Sequence, residues 1–221
     1  MKISIVIPSL NEGGQITVAI KSAWQSGAAQ VIVADGGSSD GSRELAGAEN
    51  CVVVDSPRGR GNQLNAGASA ATGDVLLFLH ADNSLVASGC DQIRDALQNE
   101  NIKFGAFKQS IQNNKRIYRW IELGNESRVK WQGLIYGDQA MFIRRRVFEE
   151  VGGFPDIELM EDFELARRLR RIGKPKLLDG PTFVDARRWE KTGPVRQTIR
   201  NWFLSAAYRC GASPEWLAKR Y

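Results

Sequence analysis

The sequence predicts an α/β domain built on a mostly parallel sheet, and three observations carry that expectation. Short apolar runs that read as strands alternate with amphipathic stretches that read as helices. Polar, glycine-bearing clusters follow the strands directly. Of the 221 residues, 43% are hydrophobic, enough to bury one full core. In such a sheet, ligands are held in the loops at the carboxyl ends of the strands.

The elements follow in order. Ile3 to Ile7 is a β-rich run ending at Pro8, and the loop Ser9-Leu-Asn-Glu-Gly-Gly leads into a helix over about Gln15 to Ser26. Val31 to Ala34 is a second strand, closed by Asp35-Gly-Gly-Ser-Ser-Asp-Gly-Ser and followed by a helix over Arg43 to Ala48. Cys51 to Val54 is the third strand. The loop Arg58-Gly-Arg-Gly opens a helix over Asn62 to Ala71, and Asp74 to Leu79 is a fourth strand ending at His80-Ala-Asp-Asn. Ser88 to Asn99 reads as a helix, and Phe104 to Ile111 as a strand that starts a second, more mixed half. Met141 to Ile143 is a further short strand. Arg145 to Val151 and Glu161 to Ile172 read as helices, the latter with Phe163, Ala166, Leu169 and Ile172 spaced for one buried face. With no repeat or linker, one domain over residues 1–221 is the simplest account.

Composition narrows the function classes. The opening residues lack the pattern of a secretory leader, and the longest apolar run, Val75 to Leu79, is far shorter than the roughly 20 residues that cross a bilayer. The expected location is cytoplasmic. Cys51, Cys90 and Cys210 are odd in number and scattered, which excludes a disulfide framework or a zinc spacing and reads as reduced core thiols. Residues 1–110 carry 8 Lys and Arg against 11 Asp and Glu, whereas 111–221 carry 22 against 14. A basic second half suits diphosphates, an anionic membrane or nucleic acid, or is simply a set of solvated helix faces.

Several clusters carry chemistry. Asp35 leaves a strand end, where it could accept from the N–H of a pyrimidine base, and Gly37 lets backbone approach a flat ligand; a tight turn capped by its own Asp and Ser is the structural alternative. His80, the only histidine, and Asp82 stand two apart beyond a strand, so extended geometry puts them on one side. Asp82 is the candidate ligand for magnesium or manganese, with the diphosphate completing the shell. Glu161 and Asp162 open a helix, where acids are favoured by the dipole, yet the preceding Gly152-Gly-Phe-Pro-Asp loop could present a carboxylate to a cleft as a general base. Asp138 and Gln139 precede a strand and either line the acceptor side or make a turn. Arg58 and Arg60 have planar forks suited to phosphate, in a run with Gly59, Gly61, Asn62 and Asn65 that lacks both the P-loop and the dinucleotide pattern.

Taken together, Ile5-Val-Ile-Pro-Ser-Leu-Asn-Glu, Asp35-Gly-Gly-Ser-Ser-Asp-Gly-Ser, Asn65-Ala-Gly with Thr72-Gly-Asp-Val-Leu-Leu-Phe-Leu-His-Ala-Asp, and Met160-Glu-Asp resemble family 2 glycosyltransferases in order and spacing over most of residues 1–175. More narrowly, His80-Ala-Asp, Leu159-Met-Glu-Asp-Phe-Glu-Leu-Ala-Arg-Arg-Leu-Arg-Arg and Ala186-Arg-Arg-Trp-Glu resemble a compact bacterial subgroup named radical-SAM/selenodomain-associated transferases, a label that describes gene company and not a substrate. The resemblance implies a single GT-A domain, a Rossmann-like nucleotide-diphospho-sugar transferase fold with a mixed sheet and C-terminal helices. It divides the chain into a nucleotide-sugar-binding half at 1–110, an acceptor and catalytic half at 111–185 and a helical segment at 186–221. It implies Pro8, Asn11 and Glu12 around the nucleoside, Asp35 on the base, and Arg58, Arg60, Asn65, His80 and Ala81 on the nucleotide sugar. Asp82 takes the place of the last carboxylate of Asp-x-Asp, and Asp162 that of the base in the Glu161-Asp162 pair. Arg187 and Arg188 close over the diphosphate, and Trp189 joins Asp138 and Gln139 on the acceptor side. His80 departs from the pattern, standing where the first aspartate of Asp-x-Asp is usual.

The implied reaction is a single, inverting displacement, with a divalent cation, Mn2+ or Mg2+, as cofactor and a nucleotide-sugar donor, uridine being the favoured nucleoside. The acceptor is open, and nucleic acid is not an expected partner. A catalytically degenerate scaffold of the same fold is the alternative. A sugar nucleotidyltransferase ranks below it, because the loop after the first strand bears no basic residue. In the last segment, Val195, Ile199, Trp202, Phe203 and Ala206 share a helical face interspersed with Arg196, Arg200 and Arg209. Packing on the domain or pairing with a second copy is the favoured reading, and contact with the inner face of a membrane the other.

Overall fold

The computed structural model describes residues 1–221. Eight strands form one sheet in the order β3-β2-β1-β4-β7-β6-β8-β5. The first four, β1 (Ile3–Ser9), β2 (Gln30–Asp35), β3 (Val52–Asp55) and β4 (Val75–Phe78), pair in parallel, joined by α1 (Ile16–Gln25), α2 (Ser42–Gly47) and α3 (Arg60–Ala70). Beyond β4 the sheet becomes mixed. After β5 (Asn83–Leu85) and α4 (Gly89–Ala96), β6 (Phe104–Ile111) pairs antiparallel with β7 (Met141–Arg144), which runs antiparallel to β4. The remaining elements are α5 (Arg116–Gln132), a 3₁₀ turn at Gly137–Gln139, α6 (Arg145–Glu150), α7 (Glu161–Leu169), β8 (Lys176–Val184), α8 (Arg187–Thr192), α9 (Pro194–Arg209) and α10 (Pro214–Ala218). No helix is long and apolar enough to cross a membrane.

Residues Ile3 to Ser9 are all buried because helices cover both faces of the sheet, which is why the strand reads as an unbroken apolar run. Ile3, Ile5 and Ile7 pack with Ile16 and Ile20 of α1, whereas Val6 faces Leu64 of α3 and the core that takes in Leu165 and Leu169 of α7. Close approach dictates glycine at two positions. A Cβ on Gly67 would lie 2.3 Å from Val6 Cγ1, and one on Gly105 would lie 2.1 Å from the Lys176 carbonyl oxygen.

Three expectations need correction or extension. β8 was not anticipated, because Asp179-Gly180-Pro181 reads as a turn; the strand runs through it by a bulge, with the register shifting between Phe107 and Gln109. α5 is a further addition: only Tyr118 and Val129 of its 17 residues are buried, and its large apolar side chains Trp120, Leu123 and Trp131 are exposed, so no buried stripe marks it. Of the three cysteines expected in the core, only Cys90 is buried. Cys51 is half-buried, its thiol pushed up to about 11 by burial, and Cys210 is exposed near the end of α9.

Substituting Gly105→Ala drives a Cβ into a backbone carbonyl that cannot move without parting β6 from β8. Urea denaturation should show a loss of at least about 1–3 kcal/mol, the range for forced overpacking.

Candidate active site

The loops after β1 and β2 are clasped to each other. Asn11, in the left-handed region (φ 57°), donates its N–H to Ser38 Oγ (3.0 Å) and accepts from the Ser39 N–H (2.9 Å). The N–H groups of Glu12 and Gly13 donate to Ser42 Oγ (2.7 Å) and Asp40 Oδ2 (2.9 Å). Asp35 organises its own turn: Oδ2 accepts from the N–H groups of Gly37 and Ser38, both at 3.0 Å, and Oδ1 accepts from Ser38 Oγ. Both oxygens therefore serve the turn, so any base contact uses their remaining lone pairs. Pro8 is buried at the end of β1, opposite Ala34.

A cavity of about 570 Å³ is lined by His80, Asp82, Arg60, Asp162 and Arg188 among others, whereas Pro8, Asn11, Glu12, Asp35 and Gly37 are not among its lining residues. β4 ends at Phe78, and the Asn83 N–H donates to the His80 carbonyl (3.0 Å), so residues 80–83 form a turn instead of continuing extended. Burial still alternates: Leu79 and Ala81 enter the core, and His80 and Asp82 meet the cavity. The Ala81 methyl is thus a core group. Burial, with the charge of Arg60, pushes the His80 imidazole down to about 3, so the ring is neutral. Glu12 is raised above the usual carboxylate range by burial and then by the charge of Asp82, with Arg187 and Arg188 opposing, which ties all four to one electrostatic neighbourhood.

Glu161 and Asp162 differ sharply. Glu161 has a side chain only 2% exposed, paired with Arg60 Nη1 at 3.1 Å. Asp162 Oδ2 accepts from the Gly137 N–H (2.7 Å), and Oδ1 from the Phe163 N–H (2.7 Å) at the start of α7. Gly137 fits only because it lacks a side chain: a Cβ would lie 2.5 Å from His80 Nε2. Positive φ at Ala140 (47°) and Met160 (74°) marks the backbone on both sides of this junction.

The other anticipated residues take various places. Asp138 lines the cavity; burial raises its carboxyl, and its Oδ1 has no partner. Gln139 is buried behind it, accepting from Arg128 Nη2 (2.8 Å). Trp189 lines the cavity and stands edge-on to Tyr118, while Arg187 pairs with Asp185 at 2.7 Å. Asn65 lies away from the cavity, gripping both backbone groups of Phe154 (2.8 and 3.0 Å). Arg58 is exposed outside it. Gly61 packs α3 onto the next loop, where a Cβ would lie 2.6 Å from the Pro155 carbonyl oxygen. Sequence reading missed the wall supplied by α5 and α9, including Asn125, Arg128, Trp202 and Ser205, with Arg128 standing 3.6 Å over the Tyr136 ring.

No three His, Cys, Asp or Glu side chains converge on a metal position. A divalent cation held by Asp82 would find Asp185 as a neighbouring carboxylate on the cavity wall and draw the rest of its shell from phosphate and water. That donor set suits magnesium-type binding, in which substrate phosphates carry much of the coordination.

Residues 4–152 match the family model described as glycosyl transferase family 2. The chain is similar to a PGL/p-HBAD biosynthesis glycosyltransferase of Mycobacterium bovis, 25% identical over 206 residues that take in 89% of this chain and 79% of the relative. It is 30% identical over 111 residues to an uncharacterized glycosyltransferase of Nostoc sp., covering 46% of this chain and only 34% of that longer relative. Among solved structures, S. aureus TarS 1-349 in complex with UDP-GlcNAc superposes with a TM-score of 0.67 at 16% identity, over 84% of this chain and 58% of that one. Glucosyl-3-phosphoglycerate synthase from Mycobacterium tuberculosis, in complex with Mn2+, UDP and glucosyl-3-phosphoglycerate, gives 0.62 at 21%, over 95% and 80%. These likenesses identify the fold as GT-A.

Removing Arg60 strands the buried Glu161 charge. Arg60→Ala should destabilise the protein by about 3–5 kcal/mol in denaturant unfolding, and adding Glu161→Gln to that variant should restore part of the loss.

Proposed function

Because this chain belongs to glycosyl transferase family 2, we propose that it moves a sugar from a uridine-diphosphate sugar to an acceptor hydroxyl by a single inverting displacement. The observation that carries this reading is the Asp162 carboxylate, held by two backbone N–H donors on the wall of a cavity that Asp82, Arg60 and Arg188 also line. The uridine assignment is supported by neighbours of the same fold whose structures hold UDP or UDP-GlcNAc. The narrower placement, in the radical-SAM/selenodomain-associated subgroup, is supported by His80-Ala-Asp, the segment at 159–171 and Ala186-Arg-Arg-Trp-Glu.

In this reading the nucleoside lies along the clasped loops, against Pro8, Asn11, Glu12, Asp35 and Gly37. The acceptor enters from the side of Asp138 and Trp189, so residues 1–110 serve the donor and 111–185 the acceptor. Asp162 takes the proton of the acceptor hydroxyl as that oxygen bonds to the anomeric carbon. The bond from that carbon to the diphosphate breaks, its electron pair leaving on the phosphate oxygen. Two N–H donors fix the carboxylate in direction, so little reorganisation accompanies proton transfer. Arg60 and Arg188 bring positive charge to the cavity that receives the developing diphosphate charge, where it counts for more than contacts to the sugar ring. Glu161 is a positioning residue, setting Arg60. Asp82, with His80 beside it, would hold a divalent cation, which when bound neutralises charge on the leaving diphosphate.

Calorimetry with UDP should show binding that requires Mn2+ or Mg2+ and is lost in Asp82→Ala; no binding of UDP under either condition would remove the donor reading and favour a scaffold. Asp162→Asn should lower kcat by about 10²–10⁴-fold while leaving UDP affinity unchanged. An NMR spectrum of the product with the donor's anomeric configuration retained would overturn the single displacement.

A further inference from the structure

Two helices of the cavity wall each leave an apolar stripe without a partner. On α5, Trp120, Leu123 and Trp131 are exposed, Trp131 by 88%; on α9, Val195, Ile199, Trp202 and Phe203 are exposed, Trp202 by 67%. Residues 120, 123, 127 and 131 follow helical spacing, as do 195, 199, 202, 203 and 206, so each set is one continuous face. Both faces run to the same opening. Gly124 and Ser127 stand on the first stripe and line the cavity, and Trp202 and Ala206 do so from the second.

The charge around these stripes has one sign. α9 carries Arg196, Arg200 and Arg209 and no acidic residue. On α5 both glutamates are already paired, Glu126 with Lys108 and Lys130, and Glu122 with Arg119, leaving Arg116 beside Trp120. Tryptophan flanked by arginine matches the boundary of a bilayer, where the indole sits at headgroup level and the guanidinium meets phosphate. A second copy is a poorer occupant. A two-fold contact sets a patch against itself and would bring the Arg196 and Arg200 rows of both copies together.

We propose that the face formed by α5 and α9 docks on an anionic lipid bilayer, so that the cavity opens onto the membrane and takes its acceptor hydroxyl from a lipid-borne molecule. Only the acceptor clause rests on the glycosyl-transfer reading; the docking itself stands on the exposed stripes and their charge.

The test floats the whole chain on a density gradient with phosphatidylcholine vesicles, with or without phosphatidylglycerol. The chain should float with the anionic vesicles at least about tenfold more than with the neutral ones, and high salt should reduce the difference. Trp120→Glu/Phe203→Glu, neither position lining the cavity, should stay at the bottom with its circular dichroism and UDP binding unchanged. A wild-type chain that stays at the bottom with both vesicles overturns the proposal, as does a variant that floats like wild type. Sedimentation showing a wild-type dimer that the variant converts to monomer also overturns it, assigning the face to a second copy. UDP calorimetry on the same samples keeps the readings apart: bound UDP without flotation sinks the docking alone, and flotation without UDP binding sinks the donor reading alone.

Discussion

The hydrogen bond from the Gly137 N–H to Asp162 Oδ2 joins two stretches of chain that are far apart in sequence, and a third, at His80, packs against the same glycine. It can form because position 137 has no Cβ, which leaves room for the half-buried His80 ring on the other side. The carboxylate, the turn that fixes it and the histidine ahead of Asp82 therefore form one packed unit. The rest of the site is built to hold that unit in register. Arg60 grips Glu161, Gly61 lets α3 lie against Pro155, and Asn65 binds both backbone groups of Phe154. Three residues on the first two turns of α3 thus fix α7 and the loop that delivers it, and α3 itself is seated on β1 through Gly67 and Val6.

Electrostatics follow from the same packing. Burial disfavours the charged forms of His80, Asp138 and Glu161, and each is answered differently. His80 becomes neutral, Glu161 is held by Arg60, and Asp138 is opposed by Arg128 with one buried oxygen left unpartnered. Asp162 instead has backbone donors on both oxygens. Two adjacent carboxylates, 161 and 162, are in this way separated into an ion-pair member and a free-standing one by nothing more than which side of a helix start each occupies.

The parallel half of the sheet was legible because burial on both faces leaves a simple trace in sequence, apolar runs each ending in a polar turn. The same trace located the segments that hold Asp35 and Asp82, whereas Asp162 was marked by the helical spacing of Phe163, Ala166 and Leu169 behind it. What composition could not separate was a turn-building carboxylate from a cavity-lining one. Asp35 and Asp82 both follow strands, yet only the fold shows Asp35 engaged by Gly37 and Ser38 while Asp82 faces the cavity. Asn65 reads as a nucleotide-sugar residue in sequence because a polar side chain serves loop packing as readily as it serves a ligand. β8 was hidden by its bulge at Asp179–Pro181. α5 was hidden because periodicity registers burial, and this helix buries almost nothing.

That sparse anchoring separates the two halves of the cavity in another respect. The side built on β1 and α3 is held by close contacts, Gly67 against Val6 and Gly61 against the Pro155 carbonyl, so substitutions at those positions disturb the packing. α5 and α9 are each tied down by two buried residues, Tyr118 with Val129 and Gln197 with Leu204. The exposed positions of their cavity wall, Gly124, Ser127, Trp202 and Ala206, can vary at little cost to folding. Under the proposed reading, in which these helices wall the acceptor side, a lineage or an engineer can exchange one acceptor for another by drifting along them while the residues proposed to handle the nucleotide stay fixed.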